Sequence, residues 1–187
     1  MRLIRALKKL KAFQGLTEQE LAWVLYDVGN SAYTMLACSL IPIWFKSIAV
    51  GHAPGQISSD NATAYYSLAI SIVTVAVALL GPVLGALADH KDKKRMYFTS
   101  AAALGMIFCV LTGFAWSWLL FLILFVVTKI CYSASLTIYD SMLGDITTED
   151  RMDEVSSNGF AWGYLGSCIP FLIALIAYVL GPDMVGL

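Results

Sequence analysis

The residues able to do chemistry in this chain of 187 residues are few, and most of them stand inside long apolar runs. Asp27, Asn30, Ser31 and Thr34 follow one another at i, i+3, i+4 and i+7, so a helix drawn through them carries one polar face that begins with a carboxylate. Further along, Lys129, Tyr132, Ser133 and Asp140 interrupt the apolar run from Trp118 to Leu143. In a hydrocarbon solvent such groups can take up a proton, hydrogen-bond a solute or pair with a charge on a neighbouring helix, because lipid satisfies none of them. Two readings stay open for the first set. It is either the wall of a polar cavity or hydrogen-bonding glue between helices, whose measured strength is modest.

Hydrolytic chemistry has no constellation to use. The only histidines, His52 and His90, stand in polar stretches, and neither His-Glu-x-x-His nor Gly-x-Ser-x-Gly occurs. Cys38, Cys109, Cys131 and Cys168 each lie in an apolar run, without CxxC spacing or a nearby histidine, which argues against a zinc site or a disulfide framework. The expectation is a protein that is not an enzyme, with no catalytic residues, no metal, no cofactor and no nucleic-acid partner.

The elements that position these side chains follow from composition. Hydrophobic residues make up 59% of the chain and charged residues 13%, against roughly 45–50% and 25% in an average soluble domain. Apolar runs over about 21–45, 62–88, 97–115, 118–143 and 159–180 are each long enough to cross a bilayer at about 1.5 Å per residue. The predicted fold is therefore all-α, a polytopic membrane helix bundle of five spans over residues 21–187. On the same scale Lys129 falls roughly 20 Å from the end of its span and Asp140 about 5 Å, so Lys129 is near mid-membrane and Asp140 near a boundary.

Charge position sets the expected topology. Arg2, Arg5, Lys8, Lys9 and Lys11 precede the first span, with Leu3, Ile4, Leu7 and Leu10 at helical spacing among them, so residues 1–20 read as a cytoplasmic basic amphipathic segment. A plain positive flank is the equally open alternative. A second basic group, Lys91, Lys93, Lys94 and Arg95, lies in the stretch Gly85 to Arg95, read as a loop between the second and third spans. With the N-terminus in the cytoplasm, all of the twelve cations except Lys46 and Lys129 fall on the cytoplasmic side. The stretch Gly144 to Asn158 reads as an acidic cytoplasmic loop, and Gly181-Pro182-Asp183 as an outer turn. The glycines Gly159 and Gly163 open the fifth span with a GxxxG step that favours close helix packing.

Gly85, Asp89, Lys93 and Lys94 resemble the Gly-xxx-Asp-Arg-x-Gly-Arg-Arg/Lys signature between the second and third helices of the major facilitator superfamily, with His90 and Asp92 departing from it. The sequence Trp23-Val-Leu-Tyr-Asp-Val-Gly-Asn-Ser31, the following Pro42-Ile-Trp-Phe45, and Gly159-Phe-Ala-Trp-Gly-Tyr-Leu-Gly166 resemble one branch of it, the vacuolar amino-acid effluxer-like transporters. There Asp145 and Arg151 match an Asp and an Arg kept between the fourth and fifth helices. The resemblance implies most of the N-terminal half of a permease in a plasma (inner) membrane or a vacuole-like membrane, its first and fourth helices lining a central cavity.

The function so implied is secondary transport of a small solute, with amino-acid efflux as the substrate expectation and lipid, solute and a missing C-terminal half or second subunit as partners. Asp27, Asn30, Ser31, Thr34, Lys129, Tyr132 and Asp140 are the expected substrate or proton pathway. Gly85, Asp89, Lys93, Lys94, Asp145 and Arg151 are the expected gate. Whether Asp27 or Asp140 binds a coupling proton or is held structurally stays open, as does a non-transporting membrane interaction module or a homodimeric carrier.

Overall fold

The computed structural model describes residues 13, 15–89 and 91–185, apart from the side chains of 88, 91–92 and 181–185. It is all-helical. Among the described residues, five long helices run α1 Glu18–Ala49, α2 Ser59–Asp89, α3 Lys91–Thr112, α4 Trp118–Ile146 and α5 Met152–Val185, with a 3-10 turn, Glu149–Arg151, before α5. All five are long and apolar enough to cross a membrane, and the described residues contain no strand beyond one isolated bridge between Val50 and Ile57.

The helices outlast the apolar runs that announce them. The expected loop from Gly85 to Arg95 is almost entirely helical, since α2 continues to Asp89 and α3 begins at Lys91. Lysine, arginine, alanine and leucine are all good helix formers, so a helix persists after its residues turn polar. For the same reason the expected acidic loop shrinks to the segment around Glu149–Arg151, α4 reaching Ile146 and α5 starting at Met152. The outer turn expected at Gly181-Pro182-Asp183 is absent, because α5 runs on to Val185. The amphipathic helix expected over residues 1–13 lies outside the described residues except for Phe13, and His90 lies outside them as well.

Two compact units divide the chain: Met1–Ile41 with Leu143–Leu187, and Pro42–Met142. In the first, Phe13, Leu16, Leu21, Val24 and Val155 form a buried core, with Trp23, Leu25, Leu143 and Trp162 packed against it. The Phe13 and Trp162 rings sit 4.8 Å apart. Along the same unit α5 meets α1 through three glycines. A side-chain carbon at Gly159 would lie 2.7 Å from the Trp23 ring, one at Gly163 2.7 Å from Ser31 Oγ, and one at Gly166 would collide with Val28. Glycine is what lets the two backbones approach, as the GxxxG spacing leads one to expect.

Aromatic rings hold the second unit at one end. Phe45 stands 5.6 Å from Tyr66 and 5.7 Å from Phe121, Trp44 meets Phe121 edge-on at 5.5 Å, and Tyr66 stacks on Phe125 at 5.5 Å. Beside them Tyr65 stacks on Trp118 at 5.1 Å, and the Trp118 indole N–H donates to the Gly55 carbonyl at 2.9 Å. Such rings combine large apolar area with a polar edge that suits the ends of membrane spans. Gly55 has φ +90°, a conformation that strains any residue with a Cβ.

Candidate functional site

In the first unit, α1 places Asp27 and Asn30 on its buried side. The Asn30 amide donates to the Asp27 carboxylate one turn earlier. Ser31 is half-buried and Thr34 is exposed, its hydroxyl donating back to the Asn30 carbonyl at 3.2 Å. Asp27 is 9% exposed and its Oδ2 would lie 2.8 Å from a side-chain carbon at Gly163. The polar face therefore splits: its first turn is packed against the glycine seam of α5, and only Thr34 opens outward.

In the second unit, α4 holds Lys129 half-buried with its ammonium 5.2 Å from the centre of the Tyr132 ring, close enough for a cation–π contact. Tyr132 is itself half-buried, whereas Asp140 is exposed. A cation at this depth can hold an anionic solute group or exchange partners with a carboxylate, which few other side chains of the unit can do.

The expected gate residues behave differently from one another. Gly85 faces open space, with nothing within 4 Å of where its side chain would be, so none of the described residues uses it for a close approach. Asp89 and Lys93 are exposed. Lys94 is buried, 7% exposed, and its ammonium donates to the Ser141 carbonyl in the last turns of α4 at 3.2 Å. There it also meets the negative end of that helix. Asp89, Lys93 and Lys94 belong to the second unit, Asp145 and Arg151 to the first.

Arg151 has three partners. Its Nη1 lies 3.1 Å from Glu20 Oε1, its Nη2 donates to the Gly15 carbonyl at 2.8 Å, and its Nε donates to Glu154 Oε2 at 3.5 Å. Glu20 was no part of the expected site, yet it is the more central residue, with a side chain 2% exposed. The Thr147 hydroxyl donates to its Oε1 at 2.8 Å and the Thr17 N–H to its Oε2 at 2.7 Å, while its own N–H donates to Thr17 Oγ1 at 3.2 Å. The last two bonds are a capping box at the start of α1. The sequence signal for it was Thr17-x-x-Glu20 directly before an apolar run, hidden in what otherwise reads as a polar spacer.

The sequence matches the Major Facilitator Superfamily over residues 27–186. It is also similar to an uncharacterized MFS-type transporter of Bacillus subtilis, YxiO, with 39% identity over 167 residues. That alignment takes in 88% of this chain but only 38% of the relative's length. No solved structure matches. Five membrane-length helices, the charged junction of α2 and α3, and a family match that runs through all five helices leave one conclusion: the chain belongs to the major facilitator superfamily.

Proposed function

We propose that the chain forms part of a secondary transporter of small solutes. The observation that carries this reading is Lys129, a cation half-buried in the middle of a 29-residue apolar helix, where only a partner or a polar solute repays its desolvation. Tyr132 holds the ammonium when the pathway is empty. In the other unit, Asp27 and Asn30 are pathway residues of α1 in their own right, with Thr34 the exposed one. Asp140, exposed near the end of α4, stands where a proton could enter. Asp89, Lys93, Lys94, Asp145 and Arg151 serve the gate, on the side taken as cytoplasmic with the N-terminus.

Amino acids are the proposed solutes, exported rather than imported. Support comes from the likeness of residues 23–33 and 159–166 to the effluxer-like branch. A zwitterion also offers a carboxylate to Lys129. The relative's greater length supports a further step: the working carrier contains a second group of helices, supplied by a longer polypeptide or another subunit. Alternating access in transporters built from repeats moves one helix group against another around a shared site, and five helices hold one wall of it.

Reconstitution tests this. In lipid vesicles the chain alone should give no saturable amino-acid flux above empty vesicles, and co-reconstitution with the C-terminal remainder of the Bacillus relative should restore it. Lys129→Gln in the reassembled carrier should abolish flux. Saturable uptake by the chain alone would overturn the single-wall reading, and flux unaffected by Lys129→Gln would remove Lys129 from the pathway.

A further inference from the structure

Glu20 has no place in the pathway described above, yet it is a buried carboxylate with three separate donors. Those donors come from three parts of the chain: Thr17 ahead of α1, Thr147 just past the end of α4, and Arg151 in the turn that leads into α5. Arg151 in turn grips the Gly15 carbonyl at 2.8 Å, and Gly15 has φ +101°, a left-handed turn that favours glycine. From this point a continuous line of contacts runs along α1 and α5. Val24 and Val155 share the core, Trp23 fills the space at Gly159, Asp27 and Ser31 fill the space at Gly163, and Val28 the space at Gly166.

We propose that Glu20 is a positioning residue for Asp27: it clamps Arg151 to the start of α1 and thereby fixes the register in which α1 lies on the glycine seam of α5. The proposal rests on the reading of Asp27 as part of the pathway. A ridge of side chains seated on bare glycines meets few Cβ atoms that would stop it sliding, so a directional polar contact at one end adds to the apolar core in fixing the register. The clamp sets it two helical turns from Asp27, on the same rigid helix. It also makes the start of α1 move with the turn before α5, so a displacement of Arg151 reaches Asp27 and Ser31 through the helix backbone. Every polar atom of the clamp lies within one compact unit.

The test reads the seam itself and needs no solute. In the 187-residue chain reconstituted in lipid, with its four native cysteines replaced by serine or alanine, Ser31→Cys reports the α1–α5 contact through its rate of reaction with a small methanethiosulfonate reagent. Ser71→Cys on α2, exposed in the other unit, is the control. Glu20→Gln and Arg151→Ala should each speed labelling at position 31 by about tenfold while leaving position 71 unchanged. Combining them should give no more than either alone, and the swap of Glu20→Arg with Arg151→Glu should return the slow rate. Thr147→Val, which removes one hydrogen bond and leaves the charge pair, should give a smaller acceleration and stands in if the charge variants do not fold. Unchanged labelling at position 31, multiplied effects in the double variant, or equal acceleration at position 71 would overturn the clamp. None of these outcomes depends on whether the chain transports, so the solute pathway and the clamp can fail separately.

Discussion

At the residue scale, neighbours of identical type do different work. Lys93 and Lys94 read alike in the sequence as two cations of one basic cluster, but Lys94 is buried against the Ser141 carbonyl while Lys93 is exposed. A hydrogen bond from a charged donor contributes about 1.5–3 kcal/mol, whereas exposed substitutions usually stay within about 0.5. Lys94→Met should therefore lower the thermal unfolding midpoint in detergent clearly, and Lys93→Met should leave it where it is. Equal shifts would mean that the Lys94 contact contributes nothing to stability. The glycines divide in the same way. Gly166→Ala would drive a methyl into Val28, whose branched side chain cannot swing aside, and should destabilise by about 1–3 kcal/mol. Gly85→Ala meets open space inside a helix and should be neutral or stabilising by about 0.5–1 kcal/mol. The same melting experiment decides both, and a stable Gly166→Ala would show that the seam has room to spare.

Legibility also differed residue by residue. Asp27, Asn30 and Ser31 were visible because polar groups in an apolar run stand out, but nothing in their spacing said that Gly163 would pack against Asp27 and Ser31. That contact joins two segments far apart in the chain, and periodicity reports only one helix at a time. Glu20 was missed for the opposite reason. It lies in a polar stretch where a glutamate attracts no notice, and its partners Thr147 and Arg151 come from the far side of the sequence.

At the element scale, all five helices were legible and their ends were not. Hydropathy measures how much of a helix matches hydrocarbon, so it located the spans and stopped where residues turned polar. Hydrogen bonding continues past that point, which is why the supposed loop between α2 and α3 is helical to Asp89 and again from Lys91. The aromatic cluster of the second unit was also out of reach. Trp44, Phe45, Tyr66, Phe121 and Phe125 come together from three helices, a convergence that no single run of the sequence displays. Trp118 links that end of α4 to α2 through the Tyr65 ring and to the α1–α2 connection through the Gly55 carbonyl, two separable contacts. Trp118→Phe keeps a ring against Tyr65 and loses only the indole bond to Gly55, which should cost about 1 kcal/mol. Trp118→Ala loses both and should cost more, about 2 kcal/mol. Melting midpoints in that order check the assignment, and equal losses would place all of the stabilisation in the hydrogen bond.

At the scale of the whole molecule, the question is whether five helices can stand without the remainder that the longer relative possesses. Lipid offers no hydrophobic penalty for the exposed apolar face of α5, where Ile169, Ile173, Ile176 and Val179 are uncovered. Polar groups are what would make an isolated bundle unstable, since each one left unsatisfied in hydrocarbon costs several kcal/mol. Here the first turn of the polar face of α1 is closed within its own unit: Asp27 is buried and takes a hydrogen bond from the Asn30 side chain, and the exposed Thr34 returns its proton to the Asn30 carbonyl. Glu20, the other buried carboxylate of α1, has its donors in the same unit. The chain alone should therefore fold in lipid nanodiscs as a helical monomer that unfolds cooperatively, even while it carries no solute. Circular dichroism melting combined with single-molecule photobleaching measures both properties. A non-cooperative melt, or a distribution of bleaching steps dominated by two or more, would show that the internal bonding of α1 is insufficient and that further helices, or a second copy, are needed to complete the fold.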